Sequence, residues 1–328
     1  MFRMTELVQN DMQLWKRGLV SAAIIAMLAF VAGAQDRDDV IKIDTDLVSF
    51  EVTVVDKHGK PVRNLKEDEF RVYEDGAERT IDFFQPLMKN EKDRPLSVVF
   101  ALDVSGSMTE AEIERLRSAM QSFIARLTDY DSYFAVVSFA MNVRTLQSFT
   151  NRKDKLEKSF DKLVRDQDGL STHAYDAVDE AVRLLARKGP KVIRDRIPKR
   201  AVIVVSDGFP VGDVVSPRTL IERANDAETS VYSVILPSYS RLQLDKRPVM
   251  TPLEASGLIE RTGGKSFYAT DKSFDALFEA LAEEITASYA IAFYPDKGSP
   301  SGAKERHVTI RSKSGFVVRQ NRTGYEVK

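Results

Sequence analysis

The 328-residue chain has no cysteine. That excludes disulfides, thiolate metal sites and the lipid-modified cysteine of a lipoprotein anchor. Packing, or the binding of a metal or partner, must hold such a chain together. Histidine is scarce: His58, His173 and His307 are far apart in the sequence and fall in different expected elements. Neither sign of charge dominates, because 48 Lys and Arg offset 49 Asp and Glu to a net charge of -1. No global basic field argues for nucleic acid, and no acidic tail argues for a solvating or chaperone role. Internal repeats, low-complexity segments, G-x-S-x-G, H-E-x-x-H and a Gly-rich phosphate loop with Lys are also missing.

What is present begins with an export pattern. Trp15-Lys16-Arg17 precedes the apolar run 18–31 and then Ala32-Gly33-Ala34, a positive flank, a short hydrophobic region and a small-residue cleavage signal. The run is shorter than the ~20 apolar residues that span a bilayer. The expectation is a cleaved signal peptide over 1–34, a mature start at Gln35, and an exported protein, periplasmic, cell-surface or secreted, with no stable transmembrane span after cleavage.

Residues 35–94 read as a small antiparallel β unit. Val48, Phe50, Val52 and Val54 alternate with polar residues, and Lys57-His58-Gly59-Lys60 supplies a turn. Glu74-Asp75-Gly76 between 70–73 and 80–84 is a hairpin signal. Residues 65–69 read as a helical turn.

From 95 to 286 strands and helices alternate, as in a parallel sheet covered on both faces. Thr109 and Glu112 form a capping box before the apolar face Ile113, Leu116, Met120, Phe123, Ile124 and Leu127. Strand pattern returns in 287–328. The expected fold class is α/β, a doubly wound and mostly parallel sheet inserted between antiparallel β segments. The simplest arrangement joins both β ends in one sandwich, and separate β units are the alternative.

The most informative run is Asp103-Val104-Ser105-Gly106-Ser107, directly after the apolar Val98-Val99-Phe100-Ala101-Leu102. A turn leaving a buried strand can aim Asp103, Ser105 and Ser107 at one point, since Gly106 bends without a Cβ clash. Hard cations such as Mg²⁺ want carboxylate and hydroxyl oxygens of this kind. Gly169-Leu170-Ser171-Thr172 opens a helical pattern, and 201–205 is a second buried strand ending in Ser206-Asp207-Gly208. Three such loops can converge at the rim of one sheet.

On these residues the chain resembles the von Willebrand factor type A family, and specifically bacterial VWFA-related proteins in which a β region precedes that domain. Its metal-ion-dependent adhesion site (MIDAS) is built from D-x-S-x-S, a downstream Thr and an Asp in an S-D-G turn. The resemblance implies Asp103, Ser105, Ser107, Thr172 and Asp207 as metal ligands. It also implies Mg²⁺ as the ion, with Mn²⁺ or Ca²⁺ as substitutes, and a protein partner that supplies an Asp or Glu carboxylate to an open coordination position. Leu170-Ser171 stand where that family often has two glycines.

The remaining features are weighed against ordinary roles. His173, next to Thr172, is read as a rim residue, His58 as a solvated hairpin residue, and His307 as a strand residue without special chemistry. The basic run 188–200 is read as a solvated connection, and the aperiodic 238–252 as a secondary contact surface or a mobile loop. Asp103 beside a Mg²⁺ site is also the setting of an aspartyl nucleophile, but those hydrolases resemble one another in a second acid two residues later, and Ser105 stands there. The reading is a non-enzymatic, metal-dependent adhesion or assembly module, without nucleic acid or small-molecule substrate. A structural envelope protein with a vestigial site is the main alternative, and a Mg²⁺-dependent hydrolase the other.

Overall fold

The computed structural model describes residues 47–86, 95–127, 131–166, 171–236, 250–269, 274–295 and 305–326. The export segment, Gln35, Gly169, Leu170 and most of the 238–252 stretch lie outside the described residues.

The alternating pattern at the start forms β1 (Val48–Val55), which buries Phe50, Val52 and Val54 on one face. Asp56 closes the following turn by accepting the N–H groups of His58 and Lys60. A single 3₁₀ turn at Glu67–Glu69 leads into β2 (Phe70–Glu74) and β3 (Ala77–Arg79). Asp75 and Gly76 both take positive φ, 48° and 87°, the combination that tight hairpins with right-handed twist require.

The hairpin partner of β2 is therefore β3, with Glu74 opposite Ala77, and not residues 80–84 as the sequence suggested. The chain instead crosses to a second sheet as β4 (Phe83–Pro86). There Phe84 stacks on Tyr289 at 5.8 Å and meets Phe70 at 5.6 Å, so core packing overrides continuation of the hairpin.

The central block runs β5 (Leu96–Asp103), α1 (Glu110–Leu127), β6 (Tyr133–Phe139), β7 (Val143–Thr150) and α2 (Lys153–Phe160). It continues with α3 (Ala174–Lys188), β8 (Lys199–Ser206), α4 (Pro217–Asp226) and β9 (Thr229–Ile235). It closes with the short α5 (Pro252–Ala255), α6 (Leu258–Arg261) and β10 (Ser266–Tyr268), then α7 (Phe274–Ile285). The sheet order is β10-β9-β8-β5-β6-β7, parallel except for β7, an edge strand that the sequence pattern did not reveal.

Every residue of β5 is buried because both faces of the sheet are covered. The two-residue period assigns them: Val98, Phe100 and Leu102 pack with α1, α2 and α7, while Val99 and Ala101 pack with α3, α4 and α6.

Strands β11 (Ser288–Phe293), β12 (Glu305–Ser312), β13 (Val317–Gln320) and β14 (Gly324–Glu326) return to the antiparallel region. They complete two four-stranded sheets with the N-terminal strands, β13-β1-β11-β4 and β14-β12-β2-β3. Val52 lies opposite Tyr289 in one sheet and Val72 opposite Ile310 in the other. Phe50, Phe70, Tyr289, Ile291, Phe293 and Ile310 share one apolar core, so the two ends of the chain do form a common sandwich.

The basic run 188–200 is not wholly solvated. Lys199 is the first residue of β8, fully buried, and its Nζ donates to the Tyr232 hydroxyl at 2.9 Å. Beside it the buried Glu284 of α7 pairs with Arg319 of β13 and lies 3.9 Å from Lys265. Arg63 donates to the Glu283 carbonyl and the Thr286 hydroxyl at the end of α7. The Arg319 pair and the Arg63 hydrogen bonds join the sandwich to the central block at the end of the sheet away from the Asp103 turn.

Candidate functional site

The order of the strands decides where a site can form. The chain leaves β5 for α1 on one face and leaves the neighbouring β8 for α4 on the other. Connections that part in this way open a crevice beyond the carboxyl ends of the strands. Asp103 ends β5 and Asp207 follows β8, so both acids stand at this crevice.

Asp103 is wholly buried and its two oxygens are engaged separately. Oδ1 accepts the Ser105 N–H at 2.8 Å, which closes the turn, and Oδ2 accepts the Ser206 hydroxyl at 2.8 Å across the strands. The Ser105 and Ser107 hydroxyls lie 3.0 Å apart, Ser105 buried and Ser107 exposed to solvent. Asp207, also buried, accepts the Phe209 N–H at 3.1 Å. Gly208 follows with φ of 81°, and a Cβ on it would stand 2.7 Å from the Thr251 side chain. Burial pushes the Asp103 carboxyl up to about 6; hydrogen bonds from Ser105 and Ser206 oppose the shift, and the Asp207 charge adds to it.

Thr172 reaches the same rim through backbone pairing. It exchanges N–H···O bonds with Val211 at 3.1 and 2.9 Å, and the next residue, His173, donates its N–H to the Ala140 carbonyl just beyond β6. On the other side Val104 donates to Phe139 and accepts from Asp166, which seats the segment before 167 on the Asp103 turn. The structure thus gathers Asp103, Ser105 and Ser107 on one turn, sets Asp207 near enough for its charge to act on Asp103, and pairs Thr172 with the loop that follows Asp207.

Sequence reasoning passed over several positioning residues. Ser206 holds Asp103, and the only local sign is a small polar residue at the end of an apolar strand. Arg165 donates to the Gly106 carbonyl at 2.6 Å, a contact between residues 59 apart with no local signal. Asp176 braces the loop after Asp207 by accepting the N–H groups of Val214 and Val215. His173 Nδ1 lies 3.1 Å from Asp176 Oδ2, and a Cβ on Gly212 would approach its Nε2 to 2.8 Å, so the ring packs under that loop. Burial raises the Asp213 carboxyl, the hydrogen bond from the Asp176 N–H opposes that shift, and the Asp176 charge adds to it.

Among the described residues no group of three or more His, Asp or Glu side chains could hold a metal. A cation at this pocket would rely on two carboxylates and on hydroxyl oxygens. The residues fit such an ion: all donors are hard oxygens, and a positive charge would relieve the opposition between two buried carboxylates. No helix among the described residues is long and apolar enough to cross a membrane.

A family model described as von Willebrand factor type A domain matches residues 97–281. The chain is similar to inter-alpha-trypsin inhibitor heavy chain H4 of Sus scrofa, 28% identical over 145 residues. That match covers 43% of this chain and 15% of the relative's own length. Among solved structures it is similar to the vWF domain of the type V pili tip protein Mfa5 from Porphyromonas gingivalis. There identity is 13%, TM-score 0.43, and coverage 58% of this chain and 95% of that one. A second likeness is to proximal thread matrix protein 1 from the mussel byssus, solved with a zinc-occupied MIDAS motif, at 15% identity and TM-score 0.47. It covers 62% of this chain and 48% of that one.

Proposed function

The chain belongs to the von Willebrand factor type A family, and from that membership we propose that it is an exported, metal-dependent protein-binding module. Asp103, Ser105, Ser107, Thr172 and Asp207 would hold one divalent cation, Mg²⁺ in the first instance, with Mn²⁺ or Ca²⁺ as substitutes. The ion would supply an electrophilic centre for one outside anion, and the partner's Asp or Glu carboxylate would be that anion.

The observation that carries this reading is the pair of buried acids at the strand ends. The groups acting most strongly on Asp103 are a backbone N–H, two hydroxyls and a second carboxylate. Two negative charges gathered in a buried place stabilise a divalent ion, and the sum is then formally neutral. Ser107, exposed at the mouth, leaves a side from which a partner can approach.

The chain's own residues would divide the work. Ser206 and the Ser105 N–H fix the rotamer of Asp103 before the ion arrives. Gly208, in its left-handed conformation, turns the chain sharply after Asp207. Ser105 stands where a phosphoryl-transfer hydrolase would carry its second acid, which supports a binding role without a catalytic step. The sequence signal at 15–34 supports export, and N-terminal sequencing of protein from the envelope or medium, expected to begin at Gln35, tests that part.

One observation favours a structural role instead: both Asp103 oxygens already accept hydrogen bonds. Titration calorimetry with MgCl₂ separates the two readings. One binding event in the wild type, lost in Asp207→Ala with the circular dichroism retained, supports the metal site. Absence of any metal-dependent heat or thermal shift in the wild type overturns it.

A further inference from the structure

Nine large hydrophobic side chains are exposed among the described residues, and five of them stand on the connections that carry or touch the Asp103 and Asp207 turns. Met141 follows Ala140, whose carbonyl receives the His173 N–H next to Thr172. Val211 is the residue paired with Thr172, and Val214, 88% exposed, stands on the loop that Asp176 braces. Met250, 70% exposed, precedes Thr251, whose side chain backs Gly208. Val164, 72% exposed, lies beside Arg165 and Asp166, which seat on Gly106 and Val104. The other four lie elsewhere: Val192 before β8, Tyr268 on β10, Tyr294 after β11 and Val317 on β13.

Single exposed aliphatic residues are ordinary, but their concentration around one polar pocket is not. The five come from four connections that the fold brings together: those after β6, after β8, before α3 and before α5. No single stretch of sequence makes the collar.

We infer that this rim is a docking surface for a protein segment in which an Asp or Glu is flanked by aliphatic side chains. The inference rests on the proposed metal-carboxylate reading and adds the partner's sequence chemistry to it. The central acid enters beside Asp103 and Asp207, and its aliphatic neighbours lie on Val211, Val214 and Met250 along the loop after β8 and on Val164 along the Gly106 turn. Covering these residues also removes water from around the ion-carboxylate contact, which strengthens it. Charge complementarity gives the segment a direction. The Arg165 guanidinium on the Gly106 carbonyl makes the Val164 side receptive to a second acid, while Asp176 and Asp213 beneath Val214 disfavour one there.

The test uses the full chain and a randomised peptide library, selected in Mg²⁺ and again in chelator. The expected result is enrichment, in Mg²⁺ only, of peptides with an acid between aliphatic residues. Resynthesised peptides should weaken about tenfold when the flanking residues become Ser, and equally against Val214→Ser or Met250→Ser protein. These substitutions sit on exposed side chains, so folding is preserved.

Acid- and Mg²⁺-dependent peptides without aliphatic preference, or unchanged affinity in both Ser variants, overturn the inference and leave the metal-carboxylate reading standing. Aliphatic peptides that bind equally in chelator, or with the acid changed to Asn, overturn the carboxylate reading and this inference with it. Failure to enrich any peptide also overturns the inference.

Discussion

Replacing Asp103 with Asn should make the metal-free protein more stable, although the residue is central to the proposed site. Its carboxyl is pushed up to about 6 from an ordinary 3.8 by burial. Because the folded-state value is raised, the folded protein holds this proton more tightly than the unfolded chain does. The ionised group therefore destabilises the fold at neutral pH, and the penalty disappears as pH falls below the unfolded value. The rise from 3.8 to about 6 corresponds to about 3 kcal/mol at pH 7, of which about half is recovered by pH 5.

Asn keeps an oxygen for the Ser105 N–H and removes the charge, but its amide must face Ser206, whose hydroxyl has to turn. That rearrangement returns about 1 kcal/mol, so the expected net gain in chelator is about 1–2 kcal/mol. In saturating Mg²⁺ the order reverses, since an ion at a hundred times its dissociation constant adds about 2.7 kcal/mol to the wild type alone. Urea denaturation at pH 7 and pH 5, with chelator and with Mg²⁺, reads all of these quantities. Two results together would refute the reasoning: a wild type no more stable at pH 5 than at pH 7 in chelator, and an Asn variant that unfolds at lower urea than wild type.

Asp207→Ala removes the second acid, so metal-dependent heat should vanish in calorimetry while unfolding in chelator stays cooperative. Gly208→Ala forces a Cβ into the Thr251 side chain at a φ of 81°. It should cost about 1–3 kcal/mol in thermal unfolding, and an unchanged midpoint would show that the turn after Asp207 is not held this way. Arg319→Ala leaves the buried Glu284 with Lys265 at 3.9 Å as its remaining ion partner and should cost about 2 kcal/mol. Arg152→Ala, at the exposed pair with Asp154, should leave the thermal midpoint unchanged, and equal effects of these two substitutions would contradict the burial argument.

Local chemistry made much of this protein readable. The capping box at Thr109 and Glu112 forms in the structure, with the Thr109 N–H donating to Glu112 at 2.7 Å, because its partners are three residues apart. Strand β5 contains the apolar run 98–102 that marked it. The hairpin turn at Asp75 and Gly76 was visible for the same reason, yet its second arm was misjudged. Local propensity does not say when a strand stops pairing with its neighbour, and Phe84 left the hairpin for the company of Tyr289 and Phe70.

By itself, then, the sequence determined the alternation of elements, the buried strands, the D-x-S-x-S turn and the acid after β8, since each rests on residues within a few positions of one another. Tertiary structure alone decided that β5 and β8 are neighbours whose connections part. From that follow the Ser206 hydroxyl on Asp103, the Arg165 guanidinium on Gly106 and the five aliphatic residues around the pocket. It also decided that Lys199 is buried against Tyr232 rather than solvated, and that both ends of the chain share one sandwich. Hydrophobic and Coulombic interactions act through distance in space, and only the folded arrangement converts distant sequence positions into neighbours within their reach.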